Sequence, residues 1–224
     1  MESFKWTIQI DNSLSNYFPK VLKLWQFDNY IYQINDVLST NPRSVLIVGD
    51  WTWIVRYYLE MLWITVKTFD IDENLKPDFL GSIHEIQINK FKNNEFDTIL
   101  ASHVLEHIPY KFVDGTLKEL SRISKYVIIH LPYPTYWINW MLQIPLTKKK
   151  YFKFGLPIFF WKKHKFNWQH YRELWTKWHS IYSFIKEMKK YFKILKKYTQ
   201  KNNQYSYNFI WESKNNESRL SKKI

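Results

Sequence analysis

An α/β fold built on a mostly parallel sheet is what this sequence predicts, and three observations carry that expectation. Short apolar runs alternate with amphipathic helical segments from Ser44 onward. The first run, Val45–Val48, meets Gly49, and the second, Thr65–Phe69, ends at Asp70. Near the C-terminus "FKILKKY" and "YSYNFIW" flank "TQKNNQ", the pattern of a terminal hairpin. Strands that alternate with helices at this spacing pair in parallel, with right-handed crossovers covering both faces. A ligand then sits outside the carboxyl ends of the strands, where Gly49 and Asp70 fall.

Each element has its own reason. Residues 1–43 read as an N-terminal extension, with a helix at Phe18–Leu24 and a loop at "STNPR". After strand Val45–Val48, helix Ile54–Leu62 carries Ile54, Tyr57, Tyr58, Met61 and Leu62 at helical spacing. "KPDFLGSI" holds a short third strand, and the turn-forming "KNNE" introduces a fourth, Thr98–Ala101. Helix Phe112–Ser124 puts Leu117, Leu120 and Ile123 on one face, and strand Tyr126–Leu131 follows it. Residues 133–170 are aromatic, basic and broken by prolines, the composition of an insertion over the crevice mouth. In "SIYSFIKEMKKYF" an apolar stripe of Ile181, Phe184, Ile185 and Met188 predicts the last helix. The domain is expected to span 44–211, with 212–224 a flexible tail.

Composition excludes several classes. The apolar fraction of 46% and the charged fraction of 24% describe a folded globular protein rather than a disordered one. No apolar run approaches the roughly 18 residues of a membrane span, and the start lacks a signal-peptide pattern. The chain has no cysteine, which rules out disulfides and thiolate metal sites and fits a reducing cytoplasm. Its seven histidines show no metal-ligand spacing, so no metal site is expected. A net charge of +13 suggests a polyanion or an acidic membrane surface as partner, with peripheral membrane contact one use of the Lys148–Lys150 and Lys162–Lys165 region. Lys, Asn, Ile, Tyr and Phe abound, however, while Ala101 is the single alanine. That is also the mark of A/T-rich codons, and it counts against nucleic acid as a primary partner.

"SVLIVGDWTW", the acid at Asp70 and "FDTILASHVLEHI" together carry a specific resemblance. The stretch Ser44–Tyr133 resembles the core of class I S-adenosylmethionine-dependent methyltransferases, of the type 11 kind. That family runs its first strand into a G-x-G-x-G turn, matched in position by Gly49, Trp51 and Trp53. The resemblance implies a Rossmann-like, seven-stranded sheet and S-adenosylmethionine as cofactor. It implies cofactor contacts from Gly49, Asp50, Trp51, Trp53, Asp70, Ile71, Ser82, Ile83 and Ser102. Asp70 would hold the ribose hydroxyls and Ile71 and Ile83 the adenine, while Ser82 stands where the family often has an acid. His103 is the candidate to touch the acceptor, expected to be a small molecule or lipid-like. Glu106 and His107 read as structural, and His130 as packing.

The tryptophans contradict the motif. Four glycines and 12 tryptophans make 16 residues together, close to the roughly 16 glycines that average usage would place in this length. Two explanations compete. Either the chain kept the fold and lost the cofactor, leaving an inactive or basic binding protein, or codons read naturally as glycine (UGA in some bacteria) are printed as Trp. Glycine would complete G-D-G-T-G at positions 51 and 53 and would stop the first helix at 63, a place that favours positive φ. The same exchange at 168, 175 and 178 would punctuate the loop before the last helix.

Overall fold

The computed structural model describes residues 24–50, 52–89, 91–133, 136–142, 150–156, 181–200 and 206–216. Helix α1 (Leu24–Leu38) leads into β1 (Ser44–Val48), then α2 (Ile54–Met61) and β2 (Thr65–Asp70). A two-residue β3 (Phe79–Leu80), β4 (Phe96–Ser102), α3 (Tyr110–Ile123) and β5 (Ser124–Pro132) complete the parallel part. Strands β6 (Tyr136–Leu142) and β7 (Lys150–Leu156) form a separate two-stranded sheet. Helix α4 (Ile181–Tyr191) precedes the hairpin β8 (Phe192–Thr199) and β9 (Ser206–Ser213).

The main sheet has seven strands in the order β3-β2-β1-β4-β5-β9-β8. Strands β3 to β5 pair in parallel, and β9 joins β5 antiparallel. Strand β8, at the edge, exposes Lys193, Lys196 and Lys197, charges that discourage edge-to-edge pairing with another sheet. Alternation along each strand divides the core in two. Leu46, Val48, Ile99, Ala101, Val127 and Ile129 face α3 and α4, meeting Leu117, Leu120, Phe184 and Met188. Val45, Ile47, Leu100 and Ile128 face the other way, onto Tyr30 and Val37 of α1 and Val55 and Leu59 of α2. Strands buried on both faces explain why their sequences are continuous apolar runs.

The expected order of elements holds, with three differences. Helix α1 was not anticipated: a helix was expected at Phe18–Leu24, of which 18–23 lie outside the described residues. Tyr30, Ile34 and Val37 supply its buried stripe, but Gln33 and Asp36 interrupt it with polar groups that are themselves buried. The chain also stays ordered past 211, because β9 runs to Ser213 and a short 3-10 helix covers Lys214–Asn216. Of the 133–170 insertion, β6 and β7 are described, whereas most of its lysine clusters and Trp168, Trp175 and Trp178 lie outside the described residues. No helix among the described residues is long and apolar enough to cross a membrane.

Candidate cofactor and acceptor site

Parallel pairing brings the candidate residues to one edge. Val48 of β1 lies opposite Phe69 of β2 and Ala101 of β4, so Gly49, Asp70 and Ser102 follow side by side. The Gly49 amide donates to the Phe69 carbonyl at 3.0 Å. Gly49 has φ 78°, and a β-carbon there would come within 2.7 Å of Val104 Cγ2, so the turn and the segment after β4 touch closely.

Asp70 ends β2 partly buried, its Oδ1 accepting the Asp72 amide at 2.9 Å. Burial pushes its carboxyl above the usual range, against the backbone N–H groups of Asp72 and Ile71 that stabilise the charge. Asp72 is a buried cap that accepts the Asn74 amide. The Gly81 amide donates to the Asp70 carbonyl at 2.8 Å and draws the next residues to the same edge. Ser82 there meets His84 Nδ1 at 2.8 Å, and Ile83 is packed into the core, while Ile71 stays exposed.

Beside Gly49 is a cleft that α1 helps to wall. Tyr30, Gln33, Asp50, Thr52 and Ser102 line it. Three of their buried atoms, Tyr30 Oη, Asp50 Oδ2 and Ser102 Oγ, have no hydrogen-bond partner among the described residues. Buried polar groups are almost always paired, so three in one cleft mark a place built for a ligand or water. Tyr30 and Gln33 escaped the sequence reading because α1 did; an aromatic amid polar residues on a buried helix face was the available signal.

Comparisons with known proteins bear on what this edge holds. No protein-family model matches the sequence, and no curated protein matches it. Solved structures do match. The 1,6-didemethyltoxoflavin-N1-methyltransferase of Burkholderia thailandensis, solved with its acceptor and S-adenosylhomocysteine, superposes with a TM-score of 0.57 at 11% identity, covering 89% of this chain and 84% of that one. A S-adenosylmethionine-dependent methyltransferase from Clostridium acetobutylicum gives 0.55 at 12%, covering 89% and 98%. The N-methyltransferase NodS of Bradyrhizobium japonicum, with S-adenosylhomocysteine, gives 0.53 at 8%, covering 87% and 91%. The chain has the class I methyltransferase fold.

In a methyltransferase fold the segment after β4 borders the crevice, and here it is unusual. His103 has φ 56°, a left-handed conformation rare for a non-glycine residue. Its amide donates to the His130 carbonyl at 2.9 Å, and its Nδ1 stands 3.4 Å from Glu106 Oε1. Glu106 is buried, with His107 Nε2 at 4.0 Å on the same oxygen. Burial alone would push the Glu106 carboxyl up; the His103 and His107 imidazoles outweigh it and hold the carboxyl below its ordinary value. Glu106, read from sequence as structural, thus has its carboxylate within ion-pair distance of His103. His130 lies in β5, directly between Ser102 and Asn208 in register, fully buried with its Nε2 3.0 Å from Asp36 Oδ2. Burial pushes the His130 imidazole down, against the pull of Asp36. No metal-binding group of three ligands occurs among the described residues.

The printed tryptophans are informative where they are described. Trp53 has φ 57° and Trp63 φ 62°, both left-handed. At Trp63 the amide donates to Glu60 and the next amide to Leu59, the two bonds of a Schellman cap, whose C′ position is usually glycine. Trp51 lies outside the described residues.

Proposed function

We propose that the protein transfers a methyl group from S-adenosylmethionine to a small-molecule or lipid-like acceptor. The observation that supports this most is the meeting of the Gly49 turn, Asp70 and three partnerless buried polar groups at one strand edge. The residues present fit the cofactor: Asp70 stands beside the turn, and the cleft has hydrogen-bonding capacity left over. When bound, the cofactor supplies an electrophilic methyl on a sulfonium. The chain's own groups do the rest. Backbone N–H groups ahead of α2 meet the amino-acid end, Asp70 accepts the ribose hydroxyls, and Ile71 and Ser82 flank the base. His103 takes the acceptor's proton on Nε2 while Glu106 holds its Nδ1–H. Positioning does most of the work, as suits a one-step displacement.

Calorimetry with S-adenosylhomocysteine tests this reading on a Trp51→Gly, Trp53→Gly protein. Binding in the micromolar range is the expected outcome. Absence of heat from a protein with an intact circular dichroism spectrum would point instead to a cofactor-free basic binding protein.

A second reading concerns the chain itself. Left-handed φ at both Trp53 and Trp63 supports glycine as the natural residue there, and by extension at 51, 168, 175 and 178. The codons at these six positions are then UGA. UGG at 51 and 53 would end this account and favour the protein without cofactor.

A further inference from the structure

Exposed apolar side chains are not spread evenly over this molecule. Of the 13 large ones exposed among the described residues, eight lie in or beside α1 and α2. Six remain when Trp53 and Trp63, whose left-handed backbone favours glycine, are set aside. They are Phe27 and Ile31 on α1, and Tyr57, Tyr58, Met61 and Leu62 on α2.

Helical spacing brings these six together. On α1, Asn29, Tyr32 and Asp36 turn to the hairpin, where they meet Gln200 and Tyr198. Phe27, Ile31, Ile34 and Leu38 form the opposite side of that helix, and Ile34 and Leu38 pack in one core with Val55 and Leu59 of α2. On α2, Arg56 bonds Glu60 and reaches Asp78, so that side of the helix faces β2 and β3. Tyr58 and Leu62 fall on the other side, with Tyr57 and Met61 further out. The two stripes meet along the α1–α2 seam, with exposures from 39% to 67%.

The same face is bare of lysine. None occurs from residue 24 to 66, a stretch with four acids against Arg43 and Arg56, in a chain of net +13. A codon bias that inflates lysine would do so on every exposed helix. It does so on α3 and α4, with Lys111, Lys118, Lys186, Lys189 and Lys190, and not here. Aromatic residues and Met with lysine kept out is the composition of a protein–protein interface core. An anionic membrane asks for the opposite, cations around the apolar residues.

Charge also selects the partner. Two copies of net +13 repel wherever their lysine-bearing faces meet, and the α1–α2 face is where they can approach without opposing like charges. Six side chains at these exposures offer on the order of 600 Å² per copy, against about 800 Å² per partner in a standard interface. That area suits a reversible dimer rather than an obligate one.

We propose that the α1–α2 face is a self-association surface, through which two copies of this chain pair about a twofold axis. The inference is independent of the cofactor reading. Pairing would brace α1, whose Tyr30 and Gln33 wall the cleft beside Gly49.

Sedimentation velocity of the full chain over a concentration series tests it, with Trp63→Gly run beside the unaltered chain. A monomer–dimer equilibrium in the micromolar range is expected for both. Added salt should tighten the dimer, because it screens the repulsion between two cationic copies, whereas a complex held by ion pairs would loosen. Tyr58→Lys and Met61→Lys should each weaken it by about tenfold or more, since each copy would then set a cation in the apolar face. Leu195→Lys, on β8 and just as exposed, should leave it unchanged. Circular dichroism shows whether each variant is folded. The chain has no cysteine, so Met61→Cys carries a single thiol. A short bismaleimide should join it into dimers under conditions where Leu195→Cys stays monomeric. A full chain that is monomeric throughout overturns the proposal. So does a dimer that ignores Tyr58→Lys and Met61→Lys, or one that disappears in Trp63→Gly. A monomer that instead sediments with phosphatidylcholine vesicles, and loses this in Tyr58→Lys, would give the face to lipid and overturn self-association.

Discussion

Two buried polar clusters lie under the same helix, on the same face of the sheet, and they are built in opposite ways. Around Asp36, at the C-terminal half of α1, every hydrogen-bonding atom of the carboxylate is used. Tyr198 Oη donates to it at 2.7 Å, His130 Nε2 sits at 3.0 Å, Asn208 Nδ2 at 3.5 Å and Lys196 Nζ at 3.8 Å. Around Asp50, beneath Tyr30 and nearer the N-terminus of α1, the carboxylate, Tyr30 and Ser102 each keep an atom without a hydrogen bond to the described residues. The first cluster ties α1 to β5 and the hairpin. The second leaves its hydrogen bonds to something that arrives. The contrast lies in the carboxylates, since His130 Nδ1 in the first cluster also lacks a partner among the described residues: a fully bonded buried carboxylate is architecture, and one left partly unpaired at a strand edge marks a site.

The sharpest way to break the comparison is to remove the centre of the satisfied cluster. Asp36→Ala would strand His130, Tyr198 and Asn208 without their acceptor in the interior. Leaving buried hydrogen-bonding groups unsatisfied costs about 1–3 kcal/mol each, so a loss of about 3–5 kcal/mol is expected in urea unfolding. A loss under about 1 kcal/mol would show that water or a rearranged Asn208 replaces the carboxylate, and that the cluster does not hold α1 in place.

Asp50→Asn should move stability the other way. The carboxyl's folded value is about 6 against an ordinary 3.8. Between those values the folded protein holds the proton more tightly than the unfolded chain, so wild-type stability falls as pH rises through that window. Above about 6 the whole penalty is present, and the neutral amide escapes it. A gain of about 1–3 kcal/mol is expected at pH 8, shrinking towards zero near pH 4. Unfolding curves at pH 8, 6 and 4.5 measure it. No gain at pH 8 would mean that Asp50 is already compensated in the unliganded protein. One carboxylate whose loss destabilises and another whose loss stabilises, under a single helix, would be the signature of structure beside function.

Much of this was legible in the sequence. The succession of strands and their parallel pairing followed from Gly49, Asp70 and "FDTILASHVLEHI", because strands buried on both faces must be apolar throughout and their ends must carry the turns and acids. Gly49, Asp70 and His103 lie at or just after the C-terminal ends of neighbouring strands in register. The helix that closes the cleft was hidden by its own polar residues. Asp36 and Gln33 break the apolar stripe that marks an ordinary packed helix, and their partners, Tyr198, Asn208 and His130, lie about 100 or more residues away, where no local periodicity can reach. The contact between Glu106 and His103 was hidden for a similar reason. It depends on the left-handed turn at His103, and nothing in "SHVLEH" announces that φ.

The smallest effect expected is also the one that separates the two printed tryptophans. Trp53 and Trp63 share the same left-handed backbone, but Trp53 precedes α2 beside the cleft and Trp63, 95% exposed, closes the helix at its far end. A β-carbon at such a φ costs roughly 1–2 kcal/mol, and glycine returns part of that through its larger freedom when unfolded. Trp63→Gly should therefore raise the unfolding free energy by about 0.5–1 kcal/mol, with no change in S-adenosylhomocysteine affinity. Trp53→Gly should give a similar gain together with tighter binding, since on the proposed cofactor reading Trp53 belongs to the turn that receives the amino-acid end. If Trp63→Gly instead lowers stability, the indole is packing against something in the natural protein. Glycine would then be the wrong residue to restore at that cap, and the argument at 51 and 53 would stand on the motif alone.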